Sequence, residues 1–319
     1  MTNLLNNLSN TYGLEFTQII SHSEKGYRNK NLILKTESHN YNLVIYKREE
    51  SILRIIRSTN HFYEYLNSNN IPTRKVIRTK NKKDIIVLKS NNLNYYASLY
   101  SYIEGKTLPW EGWNKSHLKT IGYTLALIHS FKIPEKLIYL NNVIDIEIEH
   151  LNIMQSYFSN KDVSRALSTK LKLLVNKDYL ESFYSTFTTL RSQKSVSLLH
   201  MDLVRGNVIW NNKNLAGIID GEKVCNGLPI FEVARTFSFL LVDCKYKSAK
   251  EVFKYFLVKG YLKERKLFNG KFLQTLVDFY LIYDFYKFLK HSPYESLEKN
   301  EHFLRTRFIL LKRKILITQ

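Results

Sequence analysis

Apolar and polar positions change rhythm twice along this 319-residue chain. Over the first hundred residues they alternate or cluster in short runs that predict strands: "FTQIIS", "KNLILKT", "YNLVIYK", "KDIIVLKS" and "YYASLYSYI". Between the third and fourth runs, "RIIRSTNHFYEYLNSNN" carries apolar residues at helical spacing and closes at Asn70, just before Pro72. Three strands, a helix and two more strands predict a small lobe on an antiparallel sheet. "IEGKTLPWEGW", with Gly105, Pro109 and Gly112, reads as a connector. Beyond it "SHLKTIGYTLALIHSF" reads as a helix capped by Ser116 and ending at His129. Residues 131–190 read as mostly helical and weakly patterned. "SAKEVFKYFLVKGYL", "FLQTLVDFYLIYDFYKFLKH" and "HFLRTRFILLKRKILI" add further helices. The predicted class is α+β, with a sheet lobe over residues 1–102 and a larger helical lobe over 103–319.

One stretch breaks the second rhythm. "LLHMDLVRGNVIW", Leu198–Trp210, interrupts an apolar strand with His200, Asp202 and Asn207. A carboxylate and a carboxamide buried without partners are costly, so a purely structural strand would not carry them. Their spacing is His-x-Asp-Leu-x-x-x-Asn, and thirteen residues after Asn207 the strand "GIID" ends at Asp220. Phosphoryl transfer needs a base beside the attacking hydroxyl and metal ions held against a triphosphate. An Asp on a short loop can serve as the base. An Asn five positions on and a second Asp at a strand end offer hard oxygen donors suited to Mg²⁺. "LLH" and "NVIW" fix the loop as strands, and "LAGIID" returns as a hairpin partner through "NNKN".

With "HMDLVRGN", "GIIDGE", "GLPIFEVAR", the hinge-like "LYSYIEGK" and the helix "LALIHS", the chain resembles the aminoglycoside phosphotransferase and choline kinase superfamily. The specific motifs lie between Leu198 and Arg235. The resemblance implies a bilobal, protein-kinase-like fold and an enzyme using ATP and Mg²⁺. It implies Asp202 as catalytic base, Asn207 and Asp220 as metal ligands, and His200 as a residue bracing the loop. "LVIYK" makes Lys47 the candidate for the α- and β-phosphates. The usual acidic partner of that lysine falls near Thr59, a departure, so Glu64 is the expected substitute. "SEKGYRNKN" would be the phosphate loop, with Gly26 to Asn29 approaching the phosphates and Arg28 or Lys30 adding charge. Backbone groups around Tyr100, Tyr102 and Ile103 would meet adenine. Further departures are Gly221, where the family commonly has an aromatic, and Glu232, where it has Asp. Glu222 would hold substrate or support the metal.

Composition narrows the setting more than the substrate. The net charge of +20 is spread along the chain and is read as a Lys-, Asn-, Ile- and Tyr-rich composition, not as a nucleic-acid surface. Cys225 and Cys244 show no metal or redox spacing, which suggests a reducing compartment. Neither a signal peptide nor a membrane-length apolar run is read, so the expected location is cytoplasmic, without a membrane partner. The expected function is transfer of the γ-phosphate of Mg-ATP to a hydroxyl of a small molecule. Aminoglycoside, choline or ethanolamine, amino-acid alcohol and sugar all stay open. The alternatives are a protein serine/threonine kinase and a pseudokinase-like nucleotide-binding protein without turnover.

Overall fold

The computed structural model describes residues 2–23, 29–46, 52–90, 93–193 and 196–318. Gly26 and Lys47, both expected at the nucleotide side, lie outside the described residues, as does Arg28. The chain divides into two compact units. The first comprises Met1–Thr107, Pro134–Ile138 and Gly206–Val224; the second comprises Leu108–Ile133, Tyr139–Arg205 and Cys225–Gln319.

In the first unit, strands β1 (Gln18–Ser23), β2 (Asn29–Lys35), β3 (Asn40–Tyr46), β4 (Val76–Ile77), β5 (Ile86–Ser90) and β6 (Leu93–Ser101) form one six-stranded sheet. Its order is β1-β2-β3-β6-β4, with β5 also on β6, and every pairing is antiparallel. The register places Leu32 beside Leu43 and Leu43 beside Leu99. This apolar row packs with Leu8 and Tyr12 of α1 (Thr2–Tyr12), a helix the sequence reading did not foresee. Its Leu4, Leu5, Leu8 and Tyr12 do recur at helical spacing, but amid asparagine and serine. Alternation sends Ser98 and Tyr100 to the other face, toward α2 (Ile52–Ser68), where Tyr100 meets the Tyr63 ring edge-on at 5.6 Å.

The hairpin of Val208–Asn211 and Asn214–Ile218 also belongs to this unit, turning at left-handed Asn212. It is tied on two sides. Thr73 Oγ1 donates to Ile218 O at 2.6 Å, and Lys106 and Trp210 exchange backbone bonds at 2.9 Å. Gly105 permits the second tie, because a Cβ there would stand 2.5 Å from Trp210 O.

The second unit is helical. Helix α3 (Lys115–Ser130) is capped by Asn114, not Ser116: Asn114 Oδ1 accepts from His117 N at 3.0 Å, and His117 Nδ1 accepts from Asn114 N at 3.4 Å. Gly122 lets α3 press on the wide turns of Phe253–Tyr261, since a Cβ there would meet Phe256 O at 2.1 Å. Helices α4 (Val143–Ser159) and α5 (Lys177–Arg191) follow, then α6 (Pro229–Asp243), buried along its whole length with proline at its first turn. Around it pack α7 (Leu273–His291) and α8 (Glu301–Lys312). The aromatic run of α7 is mostly core: Phe279 meets Phe183 and Phe187 edge-on at 5.5 and 5.0 Å. The predicted final helix stops early. Left-handed Lys314 and the Ile315 N–H to Leu310 O bond close it as a Schellman turn, and Leu316–Thr318 pairs with Leu173–Val175 as a strand. No helix among the described residues is long and apolar enough to cross a membrane.

Candidate active site

The loop that carries His200 and Asp202 leaves the strand Ser197–Leu199, which pairs with Cys225–Gly227. At its start Met201 takes φ 60°, a strained value for a residue with a side chain. What holds that turn is Glu232, fully buried at the N-terminal end of α6. Its Oε2 accepts from His200 N at 2.9 Å and its Oε1 from Met201 N at 2.8 Å. The same carboxylate meets His129 Nε2 at 2.9 Å, and His129 Nδ1 lies 2.9 Å from Tyr261 Oη. Glu232 therefore braces the loop backbone through both carboxylate oxygens. His200 is fully buried, and its Nδ1 accepts the Asp202 N–H at 3.2 Å, the geometry of a brace.

The far end of α6 holds the loop a second time. Asp243 accepts the backbone N–H of Arg205; burial pushes its carboxyl up to about 6, against the opposing pull of Arg205 and Arg305. Arg205 lies over the Trp110 ring at 4.5 Å. From the middle of α6, buried Arg235 makes a bidentate pair with Asp284, both bonds 3.0 Å, and stacks over Phe239 at 3.9 Å. Burial alone would raise the Asp284 carboxyl, but Arg235 and Lys287 outweigh it and hold it below the carboxylate range. The charge on Asp202 is among the interactions that keep Arg235 protonated.

Asn207 and Asp220 belong to the first unit, at the two ends of the 208–218 hairpin. The Asn207 carbonyl accepts from Ile219 N at 2.9 Å, so the backbone sets Asn207 next to the residue preceding Asp220. Asp220 is exposed and sits in the left-handed region at φ 64°, ψ 59°, which aspartate tolerates better than most residues. Its neighbour Gly221 is clamped by α2: Gly221 N donates to Tyr63 Oη at 3.1 Å, and Thr59 Oγ1 donates to Gly221 O at 3.2 Å. A Cβ on Gly221 would stand 3.0 Å from Phe62 Cδ1. The packing is therefore tight rather than loose, with α2 aromatics filling the space that an aromatic at 221 would take. Thr59, at the position where the family has its acid, is committed to this clamp. Glu222 accepts a hydrogen bond from Asn29 Nδ2, joining the strand after the expected phosphate loop to the acid after Gly221.

An Asn amide oxygen and an exposed carboxylate are hard donors that fit Mg²⁺, which takes one or two protein oxygens and completes its shell with water and phosphate. Among the described residues no group of three or more His, Cys, Asp or Glu gathers as a metal cage.

Three further expectations fall on described residues. Glu64 is engaged by Arg78 and by His61 Nδ1 at 3.5 Å, being one turn further along α2 than the clamp. Tyr100 is 1% exposed, paired in the sheet on both sides, with its hydroxyl donating to Asn60 Oδ1 at 2.7 Å. It is a core residue because strand alternation turns it toward α2. Tyr102, bonded through its N–H to Asn40 O at 3.2 Å, and Ile103 are half-buried. Sequence reasoning did not single out Arg74, Asp243, Tyr261 or the Arg235–Asp284 pair as site residues. For His129 a signal existed: a histidine closing an otherwise apolar helix end.

The sequence profile of the phosphotransferase enzyme family matches residues 20–243. A homoserine kinase of Zymomonas mobilis subsp. mobilis is 23% identical over 227 residues, covering 69% of this chain and 64% of that protein. The chain thus matches less than two thirds of that relative's length. Among solved structures, an amicoumacin kinase in complex with AMP-PNP, Ca²⁺ and Ami superposes with a TM-score of 0.72 at 15% identity, over 98% of this chain and 93% of that one. A microcompartment-associated aminopropanol kinase gives 0.65 at 14%, over 98% and 97%. A spectinomycin phosphotransferase in complex with ADP and spectinomycin gives 0.63 at 17%, over 96% and 93%. At such identities the likeness establishes the α+β, kinase-like fold. The profile match, in contrast, runs from the sheet through the Asp202 loop and the Asp220 hairpin to the end of α6. On that ground the chain belongs to the phosphotransferase enzyme family.

Proposed function

We propose that the chain transfers the γ-phosphoryl group of ATP to a hydroxyl of a small molecule. The observation that carries this reading is the double acceptance of His200 N and Met201 N by Glu232, which spends a buried carboxylate and a strained backbone on presenting Asp202. A protein that only bound nucleotide would have no use for a base so fixed, which favours turnover over a pseudokinase. In this reading Asp202 takes the proton of the attacking hydroxyl, and His200, Glu232 and Asp243 keep its loop in place. Asn207 and Asp220 hold the divalent cation, Mg²⁺. When bound, the cation neutralises charge on the phosphates of the nucleotide. The names of the relatives agree with this in kind: amicoumacin, spectinomycin, aminopropanol and homoserine are small molecules, and two of the structures hold AMP-PNP or ADP.

The acceptor is a small alcohol that is not a polycation. Three buried carboxylates of the helical unit are already matched. Asp278 is taken by Tyr179 at 2.7 Å, Gln274 at 2.9 Å and Arg313; Asp284 by Arg235 and Lys287. Glu147 is taken by Tyr280 at 2.9 Å and His150 at 2.7 Å. A cage for a quaternary amine is not favoured either, because Arg205 covers the Trp110 ring. Buried, reduced Cys225 and Cys244 suit a cytoplasmic setting.

The decisive assay is phosphate transfer from Mg-ATP to matched alcohols of net charge −1, 0, +1 and above +2, with Asp202→Asn alongside. The variant is expected to lose roughly 10²-fold or more in turnover while keeping nucleotide affinity. An unchanged rate would remove Asp202 from its role. A preference for the polycations would overturn the acceptor class.

A further inference from the structure

Arg205 follows Asp202 on the same loop, and nothing in the proposed chemistry uses its side chain. From it a row of rings in contact runs across the helical unit. The Arg205 guanidinium lies 4.5 Å over Trp110, the Trp110 ring meets His302 edge-on at 5.5 Å, and His302 meets Phe288 at 5.3 Å. Phe288 adjoins Lys287 on α7, and the Lys287 ammonium lies 4.8 Å over the ring of Tyr283, one turn back. All six residues are half-buried, so each keeps part of its surface open to solvent. Cations outnumber anions along this wall. Asp284 answers two of them: Arg235 takes both carboxylate oxygens at 3.0 Å, and Lys287 reaches Oδ1 at 2.7 Å. Arg235 is buried, whereas the Lys287 side chain is 35% exposed. Burial holds the His302 imidazole below its ordinary value; Asp284 opposes this, and Arg205, Lys287 and Arg235 add to it, so the ring brings no charge near pH 7. Among the groups in these contacts Arg205, Arg235, Lys287 and Arg305 stand against Asp202, Asp243 and Asp284, which leaves one positive charge over.

We propose that this wall is an acceptor subsite for a carboxylate, with Lys287 as the specificity-determining residue and Arg205 beside it. The inference rests on the reading of Asp202 as base and deepens it, because it makes the acceptor an alcohol that also carries a carboxylate. An ammonium has three N–H donors, and the oxygen of Asp284 occupies one of them. A second carboxylate at Lys287 is met by a charged donor already held in place by Asp284 and by the face of Tyr283, so little side-chain freedom is lost on binding. The rings of His302 and Phe288 offer an apolar surface to the carbon skeleton of such an acceptor. One surplus positive charge suits a monoanion, whereas a phosphate ester brings close to two negative charges. A cationic acceptor would meet repulsion from the same wall.

The test is phosphate transfer from Mg-ATP to 3-hydroxypropanoate, 4-hydroxybutanoate and L-serine, each beside its primary amide, which keeps size and hydroxyl but loses the carboxylate charge. The readout is the ratio of kcat/KM for acid over amide. Wild type is expected to favour its best acid by about tenfold or more. Lys287→Met should bring that ratio close to one, chiefly by raising KM for the acid, and Lys287→Arg should hold it within about twofold of wild type. A merely structural lysine would lower acid and amide together and leave the ratio where it was. Should Lys287→Met not fold, Lys287→Gln, which still donates to Asp284, gives the same reading. A wild-type ratio near one, no transfer to any of the acids, or a ratio that the neutral variant leaves unmoved overturns the subsite and leaves Asp202 its role. Asp202→Asn matching wild type on the best acceptor overturns the base, and the subsite falls with it.

Discussion

Glu232→Gln removes one charge and almost no volume from a fully buried carboxylate of the helical unit. In the wild type that group serves three donors: two backbone N–H groups at 2.9 and 2.8 Å and His129 Nε2 at 2.9 Å, all of them buried. The amide keeps one acceptor oxygen and turns an NH₂ toward the remaining donors. At least one backbone N–H is then orphaned, at about 1–3 kcal/mol, and the bonds that survive lose their charged acceptor. The sum is about 2–4 kcal/mol. Glu232→Ala orphans all three donors and leaves a void, for about 4–6 kcal/mol, a large part of the 5–15 kcal/mol that an ordinary domain possesses. Urea unfolding gives the totals, and amide hydrogen exchange gives the location: His200 and Met201 should lose protection before any strand of the sheet does. Glu232→Asp keeps the charge but recedes by one methylene, so it should fall between wild type and the Gln variant. A Gln variant within about 0.5 kcal/mol of wild type, with protection at both amides unchanged, would refute the bracing argument.

Asp243 carries a pH signature. Its carboxyl holds its proton up to about 6 in the folded chain against an ordinary 3.8, so the folded state binds more protons between those values. That contribution is complete below the ordinary value and is lost as pH rises through about 6. Wild type should therefore lose about 3 kcal/mol relative to Asp243→Asn between pH 4 and 7, and parallel stability curves would contradict it. Within the Arg235–Asp284 pair, Asp284→Asn alone should cost about 3–5 kcal/mol by leaving a buried guanidinium unmatched. Arg235→Met combined with Asp284→Leu should recover most of that loss in the same denaturation assay. At Gly221, an added Cβ meets Phe62 at 3.0 Å, so Gly221→Ala should lose about 1 kcal/mol. A double-mutant cycle with Phe62→Leu should return most of it; strictly additive losses would deny the contact.

What the sequence makes legible by itself follows from conflicts between polarity and pattern. His200, Asp202 and Asn207 announced themselves by interrupting an apolar strand, and Glu232 by the resemblance alone. The strand β2 was legible because its burial alternates, and β6 because its β-forming residues run together. Where local pattern and tertiary demand coincide less, reading failed. Cys225–Gly227 pairs as a strand without a β-branched residue, through backbone partners that only the fold supplies. That the Tyr100 side chain is core was not readable, because its direction depends on sheet parity counted from a register that sequence does not fix. Arg74 and the Arg235–Asp284 pair were invisible for a plainer reason. Arg74 stands in the basic run "RKVIRTKNKK", where it looks solvated, and Arg235 and Asp284 meet only through the fold.

The interleaving of the two units constrains how this polypeptide can be made. The sheet unit is not finished at Thr107: it still lacks Gly206–Val224, which supplies Ile218 to Thr73, Trp210 to Lys106 and Gly221 to Tyr63. On the ribosome those partners emerge roughly 6–20 s after Thr107 does, at usual elongation speeds. Until then the sheet has open seams at three places, so it is the stage of synthesis at which a chaperone or a protease would find this chain. Cutting the gene at the sheet's apparent end would freeze the protein at that stage.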